Sequence, residues 1–240
     1  MSRSILPGKI YLVPMPIGTG GEDALSLKSM EILANTRYFL AENPKTCRRQ
    51  LKVIAPQKDL QACIYHTYNK HTPSDEIKRF LQPVLEGNDL CIVSESGAPC
   101  IADPGSAVVR YARKLKVKII PLSGPSSIIM SLMASGLDGQ KFCFHGYLPR
   151  DAGLLQTTLK KLEADVFSRS MSQIFMETPY RNERLMKVII SSLKSETLLC
   201  IAVDMTTPTE WIECKTIKEW KTDHWPNIQR RLAIFILGTE

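Results

Sequence analysis

Three stretches of this chain gather small residues and prolines, two of them with carboxylates, directly after short apolar runs. The first spans residues 14–23 and reads Pro-Met-Pro-Ile-Gly-Thr-Gly-Gly-Glu-Asp. The second, residues 94–105, holds Glu95, Asp103, two glycines and two prolines, and is twelve residues long. The third, residues 123–127, is Ser-Gly-Pro-Ser-Ser. Small side chains let a ligand approach the backbone, and prolines fix the path of a loop at low entropic cost. Hydroxyls and free amides at a helix start suit an anion or a carboxylate, or serve as simple caps. Asp103 reads as a helix cap with Pro104 at the first helical position, which leaves the length of its loop unexplained. Gly18 and Gly20 open a pattern like a dinucleotide fingerprint, with Glu42 as its ribose acid. The third glycine position, however, is Asp23, an acid that would face a pyrophosphate unfavourably. There is no phosphate-binding GxxxxGK[ST].

The elements that must position these loops are legible from periodicity. Strands are expected at residues 9–13, 38–41, 63–65, 90–93 and 117–122. Helices are expected at 24–34, 46–54, from 73 to a stop at Gly87, and from 104 to about 115. Thr72 is the expected cap of the third helix, with Pro73 in its first turn and a kink at Pro83. Beyond residue 123 the pattern gives helices at 128–134, 154–164 and 184–193, and strands at 142–145, 174–176, 198–203, 211–214 and 232–237. Alternating strands and helices imply α/β units with largely parallel sheets, and the crowded later strands imply a mixed or antiparallel one. The expected division is an N-terminal α/β domain over residues 1–122 and a C-terminal α/β domain with a mixed sheet over 123–240.

Composition narrows the class. Hydrophobic residues are 44% and charged residues 23% of 240, which excludes a disordered or low-complexity chain. The net charge of +7 points only weakly to anionic partners. The seven cysteines include no CxxC pair, so neither zinc nor a disulfide framework is signalled, and a reducing cytoplasm fits. No secretion leader or membrane span is expected from the hydropathy. The expected helix at 46–54, preceded by Lys45, is basic, and its Arg48, Arg49 and Lys52 share one broad face. That face would track an RNA backbone or be an ordinary solvated surface.

Taken in order, five motifs resemble the tetrapyrrole methylase superfamily of S-adenosylmethionine-dependent methyltransferases. Within it they are most similar to the 16S ribosomal RNA cytidine 2′-O-methyltransferases. Val13-Pro-Met-Pro-Ile-Gly18 with Glu22-Asp23 resembles that family's ATPIGNLEDI. Residues 94–105 resemble SDAGTPLISDPG, and residues 123–127 resemble PGPSA. Phe144-His-Gly-Tyr-Leu-Pro-Arg150 resembles FEGFLPR, and Glu177-Thr-Pro-Tyr-Arg181 resembles ESPHR. The departures are Glu42-Asn-Pro-Lys45 where the family reads EDTR, and Ser94-Glu-Ser-Gly97 where it reads SDAG.

The resemblance implies two α/β domains with a cofactor cleft between them, and S-adenosylmethionine as cofactor. It implies cofactor contacts at Ile17, Glu95, Ala98, Ser126, Ser127, Met176 and Ala202, and no metal. Methyl transfer from a sulfonium needs two groups held close and aligned, and a ribose hydroxyl would benefit from a general base. Glu42 and Glu177 are the candidate bases; Arg181 and Lys45 are candidates for holding a phosphate, with surface ion pairs as the plainer role for each. The implied protein is a cytoplasmic homodimer acting on RNA, with ribosomal RNA as the expected substrate. The alternatives are a methyltransferase for a tetrapyrrole or other small molecule, and a non-catalytic, RNA-associated relative that still binds the cofactor.

Overall fold

The computed structural model describes residues 6–69 and 71–240, and the chain divides between Ser126 and Ser127 into two compact units. The first unit holds strands β1 (Lys9–Val13), β2 (Tyr38–Ala41), β3 (Ile64–Thr67), β4 (Leu90–Val93) and β5 (Lys118–Pro121). They form one sheet in the order β3-β2-β4-β1-β5, with every pairing parallel. Helices α1 (Leu27–Asn35), α2 (Pro44–Ile54), α3 (Ser74–Leu85) and α4 (Ser106–Lys114) make the connections.

The central strands are apolar, apart from the exposed Lys9 at the start of β1, because both faces are covered. Tyr11, Val13, Phe39 and Cys91 pack with Leu33 of α1 and Leu51 of α2. Ile10, Leu40, Leu90 and Ile92 pack with Phe80 and Leu81 of α3 and Val108 of α4. Neighbouring strands β1 and β4 therefore send their chains to opposite faces of the sheet. Such a switch point opens a crevice at the carboxyl ends of the strands, where open α/β sheets bind ligands.

Local chemistry sets the helix starts, and those of α1 to α4 all differ from expectation. The Asn43 side chain accepts from the amides of Lys45 and Thr46 at 3.0 and 3.4 Å, so α2 begins at Pro44, two residues early. Ser26 caps α1. Thr72 does not cap α3: its hydroxyl accepts from the Asn69 amide at 3.0 Å, and Pro73 stands at the cap position. Asp103 does not cap α4 either. Cys100 and Ala102 take left-handed φ of 69° and 61°, Gly105 takes 137°, and the helix begins only at Ser106.

The second unit holds α5 (Ser127–Ser135), β6 (Phe142–Tyr147), α6 (Ala152–Arg169), β7 (Ser172–Met176), α7 (Asn182–Ser192), β8 (Leu198–Val203), β9 (Trp211–Thr216), α8 (Ile217–Thr222) and β10 (Ala233–Gly238). Its sheet runs β6-β7-β10-β8-β9, parallel only between β6 and β7, which makes it the mixed sheet expected. One face packs on α6, α7 and α8 through Leu159, Met186, Phe175, Phe235 and the fully buried Trp220. The other packs on α5 through Ile128, Leu132, Ile174, Cys200 and Ile236. Helix α8 escaped the periodicity reading because it is short. Its Thr216-Ile-Lys-Glu219 capping box was present in the sequence as the signal that would have found it.

Candidate functional site

In the first unit the three small-residue loops follow β1, β4 and β5, and they are knitted to one another. Met15 and Gly97 exchange backbone hydrogen bonds of 2.9 and 3.0 Å. The Ser96 hydroxyl donates to the Ile17 carbonyl at 3.0 Å, and the buried Ser94 hydroxyl donates to the Gly97 carbonyl at 2.5 Å. Gly124 lies so close to Pro14 that a Cβ there would stand 2.6 Å from the Pro14 Cβ. The loop after β5 is held again by Ser29 of α1, whose hydroxyl donates to the Ser123 carbonyl at 3.2 Å. A Cβ on Gly97 would find the Pro125 carbonyl 3.8 Å away, while its φ of 72° is one that glycine adopts without strain.

The structure therefore gathers the first unit's expected site residues. Ile17 is nearly buried, Glu95 is exposed, Ala98 follows the bridging Gly97, and Ser126 follows Pro125. Ser94 and Ser96 lie within the loop singled out from the sequence, whereas Gln50 had no place in that reading. The Gln50 amide of α2 donates to the Glu95 carbonyl at 3.0 Å, and its own Oε1 is buried without a partner. A long polar side chain on a basic helix carries no local sign of that role. Together these loops offer backbone groups, an unpartnered acceptor, apolar Ile17 and an exposed carboxylate. Such a lining suits a ligand with apolar parts and positive charge.

Carboxylates mark the rim. Glu42 directly follows β2 and is exposed, and it shares a narrow crevice with Tyr68, Ser94 and Asp103. Burial, with Glu42 and then Glu95 adding repulsion, raises the Asp103 carboxyl from 3.8 to about 6. Ionising Asp103 is thus harder in the folded chain than in the unfolded one. Stability is full while the group is protonated, and falls as pH rises through the window from 3.8 to about 6. Asp103→Asn should flatten that fall and leave the variant more stable at neutral pH by about 1 kcal/mol or less, since solvent screens a half-exposed group. Melting temperatures of both proteins across this range check it; parallel curves would remove the electrostatic account.

The basic helix α2 has one arginine already engaged: the Arg48 guanidinium lies 4.4 Å over the Tyr65 ring. Arg49 and Lys52 are exposed, as is Lys45.

In the second unit, Ser127 opens α5, on the face of the sheet that carries Met176. Ile234 pairs with Met176 on one side and Ala202 on the other, so these three residues form one row across β7, β10 and β8. The row places Met176 and Ala202 two strand spacings apart, roughly 9.5 Å. Glu177, just beyond Met176, is only 6% exposed. Its Oε1 accepts from the Thr178 amide at 2.5 Å and from Arg181 Nε at 2.9 Å, and is also paired with Arg181 Nη2. The two charged residues expected here are thus partners of each other across a short 3-10 turn, Pro179–Arg181.

The sequence pattern of the Tetrapyrrole (Corrin/Porphyrin) Methylases matches residues 9–220. "Ribosomal RNA small subunit methyltransferase I" of Buchnera aphidicola subsp. Schizaphis graminum is 29% identical over 85% of this chain and 68% of its own length. The protein of the same name from Escherichia coli O157:H7 is 26% identical over 94% of this chain and 71% of its own. Among solved structures, the methyltransferase CobJ superposes with a TM-score of 0.64 at 19% identity, covering 97% of this chain and 94% of that one. A uroporphyrin-III C-methyltransferase from Thermus thermophilus, complexed with S-adenosyl homocysteine, superposes with a TM-score of 0.57 at 15% identity, covering 96% and 97%. These structural likenesses are likenesses of fold.

Proposed function

The chain belongs to the tetrapyrrole methylase family and is an S-adenosylmethionine-dependent methyltransferase, and we propose that its acceptor is ribosomal RNA, at a ribose 2′-hydroxyl. The observation that carries this reading is the shared name of relatives matched along most of the chain, from Buchnera, Escherichia and Xylella alike.

The loops of the first unit fit the cofactor. Its methionine and adenosine parts carry amines that need acceptors, and the unpartnered Gln50 Oε1 beside the Glu95 carbonyl is one. Glu95 would meet the positive charge, while Ile17 and Ala98 would supply apolar contact and Ser126 a hydroxyl. For the second unit we propose cofactor contact at Ser127, Met176 and Ala202, which share one face of its sheet. When bound, the cofactor supplies a methyl group made electrophilic by the sulfonium. The chain's own task is alignment and removal of one proton from the acceptor hydroxyl. Exposed Glu42 is assigned that proton. Glu177 is assigned to anchoring Arg181, because its Oε1 already accepts from Thr178 and Arg181. Free cysteines throughout the described residues agree with a reducing, cytoplasmic setting, and the active form is proposed to be a homodimer.

Tritiated S-adenosylmethionine, given small ribosomal subunits from a strain lacking this gene, should label the RNA of those subunits. Label appearing instead in a small-molecule fraction of whole extract would favour a tetrapyrrole-type acceptor. Cofactor binding without any label would favour the non-catalytic alternative.

A further inference from the structure

The second unit carries a groove of about 460 Å³ that includes none of the proposed cofactor contacts. One wall is α7, where Glu183, Arg184, Lys187, Val188 and Ser191 recur at helical spacing on a single face. The other is formed by Gln229 and Tyr180. Tyr180 is 71% exposed, unusual for so large a ring, yet its backbone is pinned from two directions. Gln229 Nε2 donates to the Tyr180 carbonyl at 2.9 Å, and the Arg230 amide donates to the Pro179 carbonyl at 2.8 Å. Exposure here is therefore a property of an ordered turn.

The charges are also uncommitted. Among the described residues neither Arg184 nor Lys187 forms an ion pair, although Glu183 stands on the same face. The Arg184 guanidinium has only a long 3.4 Å contact to the Arg150 carbonyl. Gln229 Oε1 is buried with no donor. An open aromatic face, two unpaired cations and a spare acceptor in one groove match the parts of a nucleotide: a base to stack, phosphates to neutralise and an amino or hydroxyl group to donate. The volume lies within the range of small-ligand sites.

We propose that this groove is a docking site for a single-stranded segment of the RNA substrate. A base would stack on Tyr180, with flanking phosphates on Arg184 and Lys187. This rests on the RNA reading above and adds a place where the acceptor strand is held outside the cofactor loops.

A fluorescently labelled single-stranded oligoribonucleotide, titrated by anisotropy over a range of salt, tests it. Tyr180→Ala should bind about tenfold more weakly, and Tyr180→Phe, which keeps the ring, should bind as the parent does. Arg184→Gln with Lys187→Gln should bind more weakly at low salt and flatten the salt slope by about 1.4, the loss of two phosphate contacts. Affinity for S-adenosylmethionine, measured by calorimetry, should stay unchanged in all three. Parent-like affinity and salt slope in both Tyr180→Ala and the double variant would overturn the proposal. The two readings fail separately. If the parent methylates ribosomal RNA and these variants match its KM, only the groove assignment falls. If the parent binds no oligoribonucleotide and labels no ribosomal RNA, the RNA reading falls and the groove with it.

Discussion

Replacing Gly124 with valine should abolish most cofactor binding while leaving the second unit folded. A Cβ at this position would lie 2.6 Å from the Pro14 Cβ and 2.9 Å from its Cγ. Real Cβ atoms do not approach other carbons so closely, and the Pro14 ring cannot rotate aside. Valine must therefore push the loop after β5 away from the loop after β1. Overpacking of this kind costs about 1–3 kcal/mol of stability. The functional loss should be larger, because Pro125 and Ser126 move with the loop; more than tenfold weaker binding corresponds to about 1.4 kcal/mol. Gly139→Ala is the matched control, since nothing lies within 4 Å of its added Cβ. Calorimetry with S-adenosylmethionine and a melting curve for each variant give the answer. Normal affinity in Gly124→Val would show that the junction of these loops is not where the cofactor sits.

Arg181→Met should destabilise the second unit by about 3–5 kcal/mol, the usual consequence of stranding a buried charge. Glu177 is 6% exposed, and Arg181 is its cationic partner through both Nε and Nη2. Removing the guanidinium leaves the carboxylate with hydrogen bonds from Thr178 alone. The double variant Glu177→Gln with Arg181→Met should recover much of the loss, because no charge is then stranded. A thermodynamic cycle over the three variants should give a coupling of roughly 1–3 kcal/mol. The same proteins separate anchoring from catalysis. Glu177→Gln keeps an acceptor oxygen for Thr178 and Arg181, so an anchor should retain near-parent kcat. A fall of about a hundredfold or more, with the fold intact, would return Glu177 to the role of base. A coupling near zero would remove the buried pair from the account of stability.

Much of this protein was readable locally. The buried strands β1, β2, β4 and β8 stood out because their apolar runs are short, uninterrupted and bounded by turn residues. The three small-residue loops were legible for a related reason: glycine, proline and serine leave a strong mark on the backbone wherever they cluster. Elements whose limits depend on neighbours were read less well. Asp103 had every local property of a helix cap, yet the chain passes through left-handed turns at Cys100, Ala102 and Gly105 and starts α4 only at Ser106. Its Cys100 side chain folds back against Gly105, where a Cβ would stand 2.5 Å from the sulfur. That is a tertiary fit, with no counterpart in residue propensity.

The composition of the loops, the class of fold and the family were thus determined by the sequence, since each depends on residue type and spacing along one strand or turn. Which side chains meet was decided by the tertiary structure alone. Sheet order brings β4 between β2 and β1, and so sets Glu42 beside Asp103, residues far apart in the chain. Antiparallel register puts Met176 and Ala202 in one row through Ile234. The turn at Gln229 closes a groove against α7 and leaves Tyr180 open beside two unpaired cations. Strand order and register follow from how whole faces bury against helices, a global balance that no short window of residues contains.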